Sequence, residues 1–260
     1  MPIITFISDF GNTDFYVASV KAAILCHFPN QQIIDISHST DCGNIAYAGF
    51  NLKAVYQDFP EGTIHLVAIG TTDSFQNQHL LVKINGHYFI GPDNGIFSLI
   101  TEEEPEIIIN LFKPDNWIKS FPAKSIYANI VVRLLSGHTP EEFGEPISYF
   151  QKRTLGSVSV NKNQIKGKVI YVDFNGNLIT NIDLDTFQKI RKERRYEVEF
   201  EYESIRKITH HYSVVEFGDC VVIFNSLGYL EIAINQGNAS NLLGMTVNSP
   251  VLVSFHPEIN

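Results

Sequence analysis

The chain has 260 residues, 44% of them hydrophobic and 18% charged, a globular composition with enough apolar mass for a core, which excludes disorder. Lys and Arg total 19 against 28 Asp and Glu, a formal charge of −9. That balance argues against nucleic acid and against an anionic membrane surface as partners, because both draw on Lys and Arg.

The first strand is predicted over Ile3 to Ile7, ending at the turn-rich Ser8-Asp9-Phe10-Gly11-Asn12-Thr13-Asp14. A helix is expected from about Phe15 to His27, stopped by Pro29-Asn30. Ile33 to Ile36 reads as a strand, Ile45 to Tyr56 as a helix, and Thr63 to Ile69 as a third strand after the Pro60-Glu61-Gly62 turn. This alternation predicts a mostly parallel α/β sheet, with ligands beyond the carboxyl ends of its strands. Leu80 to Lys83 and Tyr88 to Ile90 flank Asn85-Gly86, a hairpin turn, and Gly91-Pro92-Asp93-Asn94-Gly95 is a turn-rich strand end. Ile126 to Leu135 reads as a helix closed by Gly137.

The texture changes near residue 150. Residues 1–150 are expected to form the α/β domain, 151–165 a polar linker, and 166–260 a small β-barrel domain. The strands expected there are Lys168 to Val172, Glu197 to Tyr202, Val221 to Phe224, Leu230 to Ile234 and Val251 to Phe255. Arg191-Lys192-Glu193-Arg194-Arg195 reads as a solvated helix end or loop rather than a phosphate site.

Cys26, Cys42 and Cys220 form no CxxC pair, so neither a disulfide framework nor a zinc knuckle is suggested, and Cys26 reads as a small buried residue. No HExxH is present and no metal is expected. No apolar stretch approaches the ~18–20 residues that span a bilayer, and the N-terminus carries no secretory pattern, so a cytoplasmic location is expected. The letters Asp9-Phe10-Gly11 match a kinase triplet, but only eight residues precede them, and the chain has neither GxGxxG nor a P-loop.

Polar loops at strand ends remain. Asp9 and Asp14 bracket a turn before a helix, where they serve either as caps or as partners of ligand hydroxyls and an ammonium group. Asp173-Phe174-Asn175-Gly176-Asn177 and Asn225-Ser226-Leu227-Gly228 read first as hairpin turns. Asn235-Gln236-Gly237-Asn238 exceeds what a minimal turn needs, and its amides suit a purine edge.

In order along the chain, six segments resemble the S-adenosylmethionine hydroxide adenosyltransferases, relatives of fluorinase and chlorinase. They are Ile7-Ser8-Asp9-Phe10-Gly11 with Asp14, Ile34-Asp35-Ile36-Ser37-His38, Phe59-Pro60-Glu61-Gly62-Thr63, Gly91-Pro92-Asp93-Asn94-Gly95, Gly176-Asn177-Leu178-Ile179-Thr180-Asn181-Ile182, and the run from Gly228 to Ala239. The resemblance implies an α/β domain followed by a β-barrel, a homotrimer with sites between subunits, S-adenosylmethionine or adenosine as ligand, and no separate cofactor. It implies that Asp9 accepts from both ribose hydroxyls. It places Asp14 and Asp173 on the methionine ammonium, Asn177, Asn235 and Gln236 around adenine, and Ser226 at the methionine end.

The chain departs from the family's hydrolytic pattern of Asp, Arg and His. By alignment those positions hold Gly70, Asn77 (with Gln78 beside it) and Pro122, none of which is a general base at neutral pH, while Lys124 and Ser125 follow Pro122. Asp73 and Ser125 are polar neighbours outside those positions. Asn175 stands where an adenine-stacking Phe is usual, and Leu227 where halogenating relatives have Arg, which argues against a halogenase. Three expectations follow: adenosyl transfer from S-adenosylmethionine to water or another small nucleophile, ligand binding without turnover, or a scaffold repurposed for another ligand, with Gly70-Thr71-Thr72-Asp73-Ser74 as an anion or water site.

Overall fold

The computed structural model describes residues 2–71, 78–101 and 103–256. They divide into two compact units, residues 1–154 and 155–260.

In the first unit the strands are β1 (Ile4–Ser8), β2 (Ile33–Ser37), β3 (Ile64–Ala68), β4 (His79–Ile84), β5 (His87–Pro92), β6 (Ile107–Leu111) and β7 (Gly144–Pro146). They form one sheet in the order β2-β1-β3-β5-β4-β6-β7. The first four of that order are mutually parallel, and β4 runs antiparallel to both β5 and β6. The helices are α1 (Tyr16–Leu25), α2 (Ile45–Val55), α3 (Phe97–Ile100) and α4 (Ala128–Leu135), the last entered through a π-helical turn, Ala123–Tyr127.

Alternation along the strands sends side chains to two faces. Ile4, Phe6, Leu66, Leu81 and Ile90 pack with Val20 and Ile24 of α1 and Ile130 and Val131 of α4. Ile7, Val67, Leu80, Val82 and Phe89 pack with Ala48 and Leu52 of α2 and Phe97 and Ile100 of α3. Both faces are thus covered, which is why the central strands are nearly continuous apolar runs. From β1 the chain passes through α1 to β2, then through α2 to β3 on the far side of β1. The carboxyl ends of β1 and β3 therefore mark a topological switch point, where neighbouring crossovers leave in opposite directions and open a crevice.

The second unit contains β8 (Ser159–Val160), β9 (Gln164–Val172), β10 (Leu178–Asp183), α5 (Leu184–Arg191), β11 (Arg195–Phe200), β12 (Glu203–Ile205), β13 (Ile208–Thr209), β14 (Cys220–Phe224), β15 (Tyr229–Ile234), α6 (Ala239–Leu243) and β16 (Pro250–His256). The sheet order is β12-β11-β16-β9-β10-β15-β14-β13, with β8 added on β9. β12 and β13 end that order yet are separated only by Arg206-Lys207, so the sheet nearly closes on itself as a barrel. Ile165, Val169, Leu178, Val198, Val222, Leu230, Ile232 and Val253 fill its interior.

One expectation changes. Cys26 is exposed, because it sits at the C-cap of α1, off the face defined by Val20 and Ile24. The basic run is a helix end, as expected: α5 stops at Arg191, and Lys192, Glu193 and Arg195 are exposed, while its two other arginines also make local contacts. Arg194 donates to the Lys162 carbonyl at 2.8 Å and lies over the Phe255 ring, while Arg191 lies over Tyr196. Among the described residues no helix is long and apolar enough to cross a membrane.

Candidate functional site

Asp9 follows the last residue of β1 and stands at the switch point. Its N–H donates to the Ala68 carbonyl at the end of β3. Its Oδ2 accepts two backbone N–H groups, from Gly43 and from Gly70, each at 2.9 Å. Oδ1 takes no hydrogen bond from another described residue. Two N–H donors on one oxygen fix the plane of the carboxylate. Gly70 has φ +59, the left-handed region that glycine enters without steric penalty, and that turn aims its N–H at Asp9.

Of the two alternatives for these carboxylates, capping of α1 does not occur. The N-cap of α1 is Phe15, with no side-chain hydrogen bond, and Asp14 is exposed without a hydrogen bond or ion pair to another described residue. Phe15 stacks on Tyr16 with ring centroids 4.3 Å apart, and Tyr16 and Phe10 both pack against Phe121. The loop after β1 is thus walled by aromatic rings.

The neighbouring strand ends support Asp9. Ser8 Oγ lies 2.6 Å from His38 Nδ1, and the His38 carbonyl accepts from Gly11 N–H. His38 Nε2 lies 3.1 Å from Asp35 Oδ1, off the line of a good hydrogen bond, and Lys21 pairs with Asp35 Oδ2 at 2.5 Å. Burial holds the His38 imidazole below its ordinary pKa, against the pull of Asp35. Burial pushes the Asp35 carboxyl up, but the Lys21 hydrogen bond and the nearby His38 imidazole bring it below its ordinary value.

At the end of β5, Asp93 is buried and accepts from Gln151 N–H at 2.8 Å, and burial raises its pKa. Asn94 is also buried, and its Nδ2 donates to the Ile69 carbonyl at 2.9 Å. Sequence reasoning takes this stretch as a turn and a family segment without a role for Asn94, and the contact to Ile69 depends on the pairing of β3 with β5.

Of the residues expected from the resemblance at the Asp, Arg and His positions, Gly70 and Pro122 are buried and Asn77 lies outside the described residues, as do Thr72, Asp73 and Ser74. The Ser125 hydroxyl donates to the Phe121 carbonyl at 3.1 Å, inside the π-helical turn. Lys124 is exposed.

In the second unit Asp173 and Asn177 pair with each other. Asp173 Oδ1 accepts from Asn177 N at 2.8 Å and Oδ2 from Asn177 Nδ2 at 2.9 Å. This closes the β9–β10 turn, whose Gly176 (φ +85) leaves no room for a Cβ beside Asn238. Phe174, at the tip, is fully exposed, and Asn175 is exposed beside it. Asn235 is buried and its Nδ2 donates to the Val215 carbonyl, whereas Gln236 is exposed with φ 55. Ser226 is exposed in a turn shaped by Asn225, whose Oδ1 accepts from Leu227 N and Tyr229 N. Asn225 is itself held by the buried Glu231, which also accepts from Tyr212 Oη at 2.7 Å. Burial and that carboxylate raise the Tyr212 pKa. Asp9 and Asp14 lie in one unit, and Asp173, Asn177, Ser226, Asn235 and Gln236 in the other. Among the described residues no cluster of His, Cys, Asp and Glu suits a metal ion.

In α/β domains whose crossovers part at a switch point, ligands bind beyond the strand ends there, which is where Asp9 is cradled. The chain belongs to the SAM hydroxide adenosyltransferase family: residues 4–144 match its N-terminal domain and residues 167–252 its C-terminal domain. It is 28% identical to an (R)-S-adenosyl-L-methionine hydrolase of Methanocaldococcus jannaschii, over 94% of this chain and 93% of the relative. It is 24% identical to a fluorinase of Actinoplanes sp., over 90% and 91%. A crystal structure of an uncharacterized conserved protein from Thermotoga maritima matches with a TM-score of 0.86 at 28% identity, covering 97% of this chain and all of that one.

Proposed function

We propose that the protein transfers the adenosyl group of S-adenosylmethionine to a small nucleophile, with water as the acceptor. The observation that carries this reading is the Asp9 carboxylate, held by Gly43 and Gly70 through one oxygen with the other open to ligand hydroxyls. Family membership and the hydrolase relatives support the substrate.

The chemistry is substitution at ribose C5′. The nucleophile's lone pair forms the new bond to C5′ as the C5′–S bond breaks, and the electron pair leaves with neutral methionine sulfur. Water then gives up its proton to solvent. A sulfonium leaves readily, so in-line positioning and exclusion of bulk water supply much of the rate without a strong base. Asp9 accepts from the ribose 2′ and 3′ hydroxyls. Asp14 and Asp173 pair with the methionine ammonium, Asn177, Asn235 and Gln236 contact adenine, and Ser226 contacts the methionine end. No further cofactor takes part, and the working unit is a homotrimer in the cytoplasm.

Incubating purified protein with S-adenosylmethionine and following adenosine and methionine tests the reading. Equimolar release of both above buffer supports it. A second reading, binding without turnover, is favoured by Pro122 and Gly70, which bring no acid or base to their positions. Intact S-adenosylmethionine recovered from a saturable complex would select it.

A further inference from the structure

Asp9 is placed by the strand next to its own, and that strand's end is held in turn by the loop after β5. Gly70 N–H reaches Asp9 Oδ2 because the chain turns through the left-handed region just after Ile69. The carbonyl of Ile69 immediately precedes that turn and accepts from Asn94 Nδ2 at 2.9 Å. Asn94 Oδ1 in turn accepts from Ile96 N, so both ends of the amide are used within the protein. The side chain is buried, at 7% exposure. On the far side, Arg153 Nε donates to the Asn94 carbonyl at 2.7 Å, and its aliphatic chain lies against Gly95, where a Cβ would meet Cγ at 2.4 Å. Arg153 is fixed again through its backbone. Its N–H donates to Ser98 Oγ, and Ser98 Oγ donates back to its carbonyl.

We infer that Asn94 is a positioning residue for Asp9: by holding the Ile69 carbonyl it fixes the Gly70 turn and so orients the carboxylate for a ribose diol. This rests on the reading of Asp9 given above. Asn94 acts through Gly70 rather than on the ligand, since neither of its amide groups is open. An amide suits the position because it donates to Ile69 and accepts from Ile96 at once, which Asp, Ala and Leu do not. Arg153 clamps the same loop from outside and is a second positioning residue.

The test measures binding of adenosine and of 2′,3′-dideoxyadenosine to the full chain by calorimetry, with thermal melting as a check on folding. The two ligands differ only in the hydroxyls that Asp9 is read to bind. Asn94→Ala is expected to weaken adenosine about tenfold while leaving dideoxyadenosine within about twofold, so that the preference for the diol collapses. Asp9→Ala should remove the same preference, and the double variant should lose no more than Asp9→Ala alone, as coupled sites do. Should Asn94→Ala not fold, the exposed Arg153→Ala is expected to reduce the preference in the same direction by a smaller factor.

Equal weakening of both ligands by Asn94→Ala, or none of either, overturns the inference. A preference lost in Asp9→Ala but kept in Asn94→Ala and Arg153→Ala overturns the role of Asn94 alone. A preference that survives Asp9→Ala overturns the reading of Asp9 itself.

Discussion

Tyr127 Oη lies 2.7 Å from His79 Nδ1, and the two side chains are 0% and 2% exposed. His79 opens β4 and Tyr127 closes the π-helical turn, so the pair joins the sheet to the element that leads into α4. Burial brings the His79 pKa down to about 4, with Lys113 adding to the effect, and raises the Tyr127 phenol well above its ordinary value. At neutral pH the imidazole and the phenol are therefore both uncharged and share one hydrogen bond.

This pair makes the protein acid-sensitive. In the unfolded chain His79 takes up a proton near pH 6.5, whereas the folded chain resists it until about pH 4. Stability from this group is thus fully present above pH 6.5 and lost as pH falls toward 4, a change on the order of 3 kcal/mol. His65, buried beside His87 and lowered to about 3, adds in the same direction. Urea unfolding at pH 7.5 and pH 4.5 should show the decline. The double variant His79→Leu/Tyr127→Phe should lose less between those two pH values than the wild type.

Gly70→Ala should lower stability by about 1–2 kcal/mol, because φ +59 places an alanine Cβ against its own carbonyl. Gly70→Asn should fall between the two, since asparagine enters this region more readily. Melting temperatures ordered wild type, Asn variant, Ala variant would bear this out. The reverse order would mean that the turn relaxes out of the left-handed region.

The framework was legible where local chemistry decides it. The apolar runs of β1 and β3, the Asn85-Gly86 hairpin and the polar start of α2 all carry short-range signals; Asn44 caps α2 by accepting from Tyr47 N. β7 escaped because it has three residues, two of them exposed, and ends on a proline at the sheet edge. β6 is a short apolar run between Pro105 and Pro114-Asp115-Asn116, signals that the sequence reading did not use. The cradle of Asp9 was not legible in detail, because its donors lie 34 and 61 residues away and converge only when β1 pairs with β3. The Asp173–Asn177 turn was legible as a turn, but nothing local shows that its two side chains bond each other.

Phe174 stands fully exposed at the tip of that turn while Asp173 and Asn177 hold the turn's base. It is one residue from Asn175, where the family resemblance leads to the expectation of a stacking Phe, and it offers a ring face of that kind. Phe174→Ala should weaken adenosine binding by ~1–3 kcal/mol, the range for one base–aromatic stack, with no loss in melting temperature. An unchanged affinity would show that the ring faces elsewhere in the complex.

Placing Asp, Arg and His at the three positions that the family resemblance points to tests what limits turnover. Pro122 has φ −58 and ψ −36, which a histidine adopts without strain, and Gly70 sits in the one left-handed well that aspartate tolerates. Asn77 lies outside the described residues. A positioned general base contributes about 10²–10⁴-fold to such a step. The triple variant Gly70→Asp/Asn77→Arg/Pro122→His should therefore release adenosine from S-adenosylmethionine at least about tenfold faster than the wild type, even with imperfect placement. Pro122→His alone should gain little, since a lone imidazole lacks the groups that orient it and the water. A triple variant that folds, binds adenosine and shows no gain would mean that these three positions do not surround C5′ in this chain.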